Sequence, residues 1–216
     1  MQLQVAPSLL SADFLHLEDE IVFLNGNADL IHLDVMDGSF VPNISFGFSV
    51  IDSIAKVAEK PMDAHLMVVE PQRWFERLAK DGVSMVSFHS EAAGDRTAEF
   101  IGQIQSLGMK AGVAFNPDVP VEKVLPYIGK TDFFLVMSVF AGFGGQDFIP
   151  GSLERISMLK SALKEAGSDA LIEVDGGISP ENVAAVKTAG ADIVVAGSAV
   201  FKSAEPAKTI KSMQIA

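Results

Sequence analysis

The chain has 216 residues, 49% of them hydrophobic and 20% charged, and carries a net charge of −12. That length supports one large domain with a well-buried core, and the acidic balance argues against nucleic acid and anionic membrane surfaces as partners. There is no cysteine, so disulfides and thiolate chemistry are excluded as well. The first residues, MQLQVAPSLL, have no basic segment followed by a long apolar one, so no secretory signal is read and a cytoplasmic location is expected. No apolar run is long enough to span a bilayer.

Short apolar segments alternate with amphipathic ones along the whole chain. Strands are expected at Leu3–Leu9, Leu30–Met36, Met62–Val68, Ser84–His89, Lys110–Phe115, Phe133–Ser138, Ala170–Val174 and Asp192–Ala196. Helices are expected at Asp13–Leu24, Pro71–Ala79, Thr97–Leu107, Val121–Ile128, Leu153–Ala166, Pro180–Ala189 and Ala204–Met213. Pro71 opens its helix, a favoured place for proline. Strands apolar on both faces and separated by helices imply a parallel sheet, and eight such units fit a (β/α)₈ TIM barrel formed by residues 1–216 as a single domain. A doubly wound open sheet is the alternative, because alternation alone does not show closure.

The chemistry sits at the strand ends. In HLDVM, His32, Asp34 and Met36 share one face, and in DAHLM, Asp63, His65 and Met67 do the same, because strand side chains return to a face every second residue. With Asp175 in IEVDGG, two imidazoles and two carboxylates can converge on one polar spot. That donor set suits one divalent metal ion, zinc first, with iron, manganese or cobalt next. Ser8, Asp34, Met36, His65, Met67, Met137, Asp175 and Gly197 all fall at or just past the C-terminal ends of expected strands, where barrels build active sites. An open sheet rarely brings so many strand ends to one point, so the barrel is preferred.

Glycine-rich turns follow the last three strands: Gly142, Phe143, Gly144 and Gly145; then Gly176 and Gly177 after Asp175; then Gly197 and Ser198. Glycine lets backbone N–H groups approach an anion, and loops after the seventh and eighth strands recur as phosphate sites in barrels. No Lys or Arg lies in these turns, so a phosphate there is expected to be held by backbone and the Ser198 hydroxyl.

Plainer readings stand beside these. A lone inward histidine is more often a hydrogen-bonded core residue, Asp34 or Asp175 can cap a turn, methionines fill core gaps, and GFGG can be merely a mobile loop. Four polar ligands on shared strand faces weigh against the first two. Asp63 and Glu173 lie deeper on the inward face and are expected to form a hydrogen-bonded support network, since buried carboxylates require partners. His89 ends the fourth strand and is placed at the mouth, His16 is read as structural, and Asn116–Pro117 as a turn.

At APSLLSADF (6–14), HLDVMDGSFVPNISFG (32–47), DAHLMV (63–68), GFGGQ (142–146), EVDGGI (173–178) and AGSAVF (196–201) the chain resembles the ribulose-phosphate 3-epimerase family. The resemblance implies a (β/α)₈ barrel that interconverts D-ribulose 5-phosphate and D-xylulose 5-phosphate with a bound divalent metal. It implies His32, Asp34, His65 and Asp175 as metal ligands and Asp34 and Asp175 as the acid/base pair. It implies substrate contacts from Ser8, His65, GFGG, Gly176, Gly177, Gly197 and Ser198, and the three methionines would form an apolar wall. The partner is then a small ketose phosphate, and a homo-oligomer is expected. Phe140 and Ala141 stand where the family usually has a polar residue and proline, which leaves the loop after the sixth strand freer and opens the alternative of a hexulose 6-phosphate such as allulose 6-phosphate. A phosphosugar-binding protein with little turnover is a third reading, opposed by the intact Asp34 and Asp175. A decarboxylase or aldolase is disfavoured because HLDVMDG and DAHLM contain no lysine.

Overall fold

The computed structural model describes residues 2–216. Eight parallel strands run β1 (Gln4–Pro7), β2 (Ile31–Met36), β3 (Met62–Met67), β4 (Met85–His89), β5 (Lys110–Phe115), β6 (Phe133–Met137), β7 (Leu171–Asp175) and β8 (Ile193–Ala196). Their order is β1-β8-β7-β6-β5-β4-β3-β2, and the two outer strands meet through a parallel bridge between Ser8 and His32. That contact closes the sheet into the expected (β/α)₈ barrel.

Alternation along each strand explains the two layers of the core. Outward residues such as Leu33, Leu66, Val86, Phe88, Phe134, Val136, Val174 and Val194 pack under the surrounding helices. Inward residues Leu30, Met85, Phe133 and Ile193 fill the barrel toward the strands' N-terminal ends, and Ala6 and Val195 continue this packing up to the cleft. The Phe133 ring lies against Gly112, its neighbour across the β5–β6 ladder, and a Cβ at Gly112 would come within 2.2 Å of it. Gly112 therefore makes room for the fully buried ring that floors the barrel.

The helices are α1 (Leu17–Asn27), α2 (Phe48–Ile54), α3 (Phe75–Lys80), α4 (Ser90–Ala93), α5 (Thr97–Ser106), α6 (Ser152–Glu165), α7 (Val183–Ala189), α8 (Ser198–Phe201) and α9 (Pro206–Gln214). Most match the sequence pattern with shifted ends. Residues 121–128, expected as one helix, instead form two short 3₁₀ turns, Val121–Lys123 and Leu125–Tyr127. Pro126 lacks an N–H and restricts Leu125 before it, so an α-helix cannot run through. Helix α2, rich in serine and β-branched residues, was not expected; it buries Ile51 and Ile54. No helix among the described residues is long and apolar enough to cross a membrane.

Candidate active site

Strands β2, β3 and β7 bring His32, Asp34, His65 and Asp175 together at their C-terminal ends. Asp34 and His65 are direct partners across the β2–β3 ladder. Asp34 Oδ1 lies 3.5 Å from His32 Nε2 and 3.3 Å from His65 Nδ1, and Asp175 Oδ2 lies 3.6 Å from the same His65 nitrogen. Ligands about 2.0–2.2 Å from a tetrahedral ion would stand about 3.3–3.6 Å apart, so this spacing fits a divalent metal. His32 Nε2 is buried without a hydrogen-bond partner, which is the state expected of a nitrogen reserved as a ligand. The two nitrogens and two carboxylates thus fit the ion implied by the sequence.

The second nitrogen of each imidazole is held from behind. His32 Nδ1 meets Asp63 Oδ2 at 2.6 Å. His65 Nε2 meets His89 Nε2 at 2.9 Å, and His89 Nδ1 faces Glu91 Oε1 at 3.4 Å. Glu173 lies deeper beside Asp63 and approaches His32 Nδ1 no closer than 3.8 Å. Asp63 already takes the imidazole N–H. Burial, then the neighbouring Asp63, push the Glu173 carboxyl well above the usual range.

Electrostatics within the cluster are strongly opposed. Burial raises Asp34, but His32 and His65 outweigh it and hold the carboxyl far below its ordinary value. Burial lowers His32, and Asp34 and Asp63 more than reverse it. Asp34 is thereby held as a carboxylate, the form in which it can face a cation.

A cleft opens above these groups. It is lined by Ser8, Asp34, Met36, Met67, Met137, Gly142, Phe143, Gly144, Gly145, Asp175, Gly176, Gly177, Gly197 and Ser198, all of them sequence candidates. His32 and His65 are fully buried and lie beneath the lining, so the histidines act on the cleft through their ring nitrogens next to Asp34. Met36, Met67 and Met137 are buried and form the apolar side. The Ser8 hydroxyl donates to Asp34 Oδ2 at 2.5 Å, leaving Oδ1 toward the histidines. Gly177 has φ of +63°, and a Cβ there would lie 2.4 Å from the Phe148 backbone nitrogen, so the turn after Asp175 admits no side chain.

Phe140 and Ala141 also line the cleft. Their loop is tied down by three side chains. Asn116 Oδ1 accepts from Ala141 N–H at 3.0 Å, Asn43 Nδ2 donates to Gly142 O at 2.8 Å, and Gln146 Nε2 donates to the carbonyls of Phe140 and Phe143. The flexibility expected from a missing proline is therefore offset by a bond that proline, lacking an N–H, cannot make. Glu91 and Asn116 were not among the sequence candidates. They lie past strand ends, where strand periodicity gives no signal.

Comparison with known proteins agrees with this geometry. The family model described as the ribulose-phosphate 3 epimerase family matches residues 4–201. A ribulose-phosphate 3-epimerase from Synechocystis sp. is 45% identical, with 97% of this chain and 92% of the relative covered. One from Bacillus subtilis is 43% identical, with 98% of each covered. Among solved structures, a mutant tryptophan synthase α-subunit from Pyrococcus furiosus superimposes with a TM-score of 0.72 over 100% of this chain and 98% of that one, at 16% identity, a likeness of fold alone. A barrel with this cleft, matched over nearly its whole length, belongs to the ribulose-phosphate 3-epimerase family.

Proposed function

We propose that Asp34 and Asp175 are the two bases of the epimerisation at C3 that family membership assigns to the chain. The observation that carries this is their position: both line the cleft, and both approach the same His65 nitrogen, at 3.3 and 3.6 Å. Epimerisation next to a ketone breaks the C3–H bond on one face and leaves the electron pair in a planar enediolate. A proton returned to the opposite face restores C3 with inverted configuration, with no net redox change. One carboxylate takes the proton and the other, as carboxylic acid, supplies one. Ser8 holds Asp34 Oδ2 and so orients the carboxylate on its side.

His32 through Nε2, His65 through Nδ1, Asp34 and Asp175 would hold a divalent ion, zinc first and iron, manganese or cobalt next. Such an ion supplies Lewis-acid stabilisation of the negative charge that develops on the ketone oxygen. Met36, Met67 and Met137 exclude water from the reacting carbon. The phosphate is placed against the backbone N–H groups of Gly176, Gly177 and Gly197 and the Ser198 hydroxyl, which line the cleft at the ends of β7 and β8.

A coupled assay on D-ribulose 5-phosphate, with metal content measured on the same sample, tests the reading. Turnover that scales with bound metal is the expected result. Turnover in a sample with no detectable metal would overturn the metal's part in it.

A further inference from the structure

His65 has two ring nitrogens and can offer a lone pair to the cleft through only one. Its Nδ1 faces Asp34 and Asp175, and its Nε2 lies 2.9 Å from His89 Nε2. Two imidazole nitrogens at that distance share one proton, so one donates and the other accepts. With both rings neutral, two arrangements satisfy the pair. If His89 Nε2 donates, His65 carries its own proton on Nδ1, where it blocks ligation. If His65 Nε2 donates, His65 Nδ1 is bare and His89 must carry its proton on Nδ1.

The far side of His89 decides between them. His89 Nδ1 faces Glu91 Oε1 at 3.4 Å and Asn116 Nδ2 at 3.5 Å. The Asn116 amide spends one Nδ2 hydrogen on Glu91 Oε1 at 2.9 Å, and its Oδ1 accepts from Ala141 N–H, so its second Nδ2 hydrogen, a neutral donor at the 3.5 Å limit, competes with the closer carboxylate for His89 Nδ1. Asn116 N–H also donates to Glu91 Oε1, at 3.0 Å. A carboxylate can only accept, and charge-assisted bonds exceed neutral ones. Burial raises Glu91, but His89 and the Asn116 backbone N–H hold it down at about 2, so it is ionised at neutral pH. His89 has no room to turn away. It is fully buried, stacked on His65 with ring centroids 5.0 Å apart, and covered by the Phe40 ring at 4.8 Å.

We infer that Glu91, acting through His89, is a positioning residue for metal binding: it holds His89 as the Nδ1–H tautomer, so that His65 donates through Nε2 and Nδ1 is the nitrogen it offers to an ion. The inference rests on the metal reading given above. It extends the pattern in which a ligating imidazole gives its other N–H to an acceptor. Here the acceptor is a second imidazole, and its carboxylate stands one residue further out.

Long-range ¹H–¹⁵N correlation on ¹⁵N-histidine-labelled protein reads the tautomers directly, with and without zinc. The expected spectrum shows His89 protonated on Nδ1 in the zinc-free protein and unchanged on adding zinc. His89 protonated on Nε2 without zinc would overturn the inference. Zinc affinity by chelator competition gives the second reading. Glu91→Gln places an amide that can donate to His89 Nδ1 and impose the opposite tautomer, so zinc binding is expected to weaken by about tenfold or more. An affinity within about twofold of wild type, in a variant with native circular dichroism, would overturn it. If the variant fails to fold, the wild-type spectrum still decides. A wild-type protein that binds no zinc while showing His89 as Nδ1–H would sink the metal reading and leave the tautomer assignment standing.

Discussion

His32 gives its Nδ1–H to Asp63 at 2.6 Å, and this bond settles which nitrogen of His32 meets Asp34. With Nδ1 engaged, the unpartnered Nε2 is the ligand. Asp63→Asn keeps the shape but can present an amide N–H where an acceptor is needed. Zinc affinity measured by chelator competition should fall by about 10–100-fold, with the folded state retained. His32→Ala and His65→Ala should each lower metal occupancy further, because each removes one of the four clustered groups. Full occupancy in either alanine variant would contradict the ligand assignment.

Replacing one base should separate proton removal from inversion. Asp34→Asn and Asp175→Asn should each lower kcat for epimerisation by about 10²–10⁴-fold or more, the usual worth of a general acid or base. Either variant that keeps its metal should still exchange the C3 proton with solvent deuterium at the surviving carboxylate, followed by NMR. Wild-type epimerisation in either variant would rule out the two-base scheme.

The loop after β6 gives a prediction in which two substitutions pull apart. Ala141→Pro gains backbone restriction but deletes the N–H that Asn116 accepts, so the two effects, each about 1 kcal/mol, should nearly cancel in stability. Phe140 is half-exposed and lines the cleft, so Phe140→Asn should act on substrate instead. If Phe140 accommodates a longer ketose, this change lowers kcat/KM for a hexulose 6-phosphate relative to ribulose 5-phosphate. An unchanged ratio would show that Phe140 does not select chain length.

Glu91 makes stability depend on acid. Its carboxyl sits at about 2 in the fold against 4.5 for an unperturbed group, so the unfolded chain takes up the proton first as pH falls. The stabilisation is complete above pH 4.5 and disappears as pH drops towards 2. Linkage sets its ceiling at about 3 kcal/mol. Urea unfolding of wild type and Glu91→Gln should differ at pH 6 and converge near pH 2. A constant difference across that range would mean that Glu91 titrates normally.

Gly112→Ala tests the barrel floor. The added methyl would come within 2.2 Å of the Phe133 ring, so the ring must shift within a packed interior. Overpacking of this kind costs about 1–3 kcal/mol, and the melting temperature should drop accordingly. Phe133→Leu in the same background should recover part of the loss.

The barrel and its four-residue cluster were legible because strand alternation is a strong local signal: His32, Asp34, His65 and Asp175 fall on inward positions in an apolar context. The same alternation put His89 on the inward face, but its expected place at the mouth is corrected: it is buried behind His65, beneath the Phe40 ring, and does not line the cleft. Alternation carried no information about what His89 touches, because Glu91 and Asn116 reach it from turns beyond the strands. Glu173 was rightly read as inward and deep, yet which carboxylate takes the His32 N–H depends on distances that periodicity does not supply: Asp63 stands at 2.6 Å and Glu173 at 3.8 Å. Residues 121–128 look amphipathic, and the proline inside them overrides the pattern. Ala141 reads as a loss when considered alone; only the position of Asn116, from another loop, shows the bond it makes.

The barrel wall is not equally strong all the way round. Seven strand pairs carry ladders, whereas β1 and β2 meet through the Ser8–His32 bridge and the backbone bonds from Asp29 and Leu30 to Val5. Transient breathing should begin along this seam, since fewer backbone bonds must break there. Ser8 and Asp34 lie on opposite lips of it and are joined by a single hydroxyl bond. The first opening event therefore parts the base from its anchor while leaving the ladders that carry His65 and Asp175 intact. Backbone amides flanking the seam should exchange with deuterium sooner than those of β4 to β7, and a ligand bridging both lips would act as a clasp that slows them.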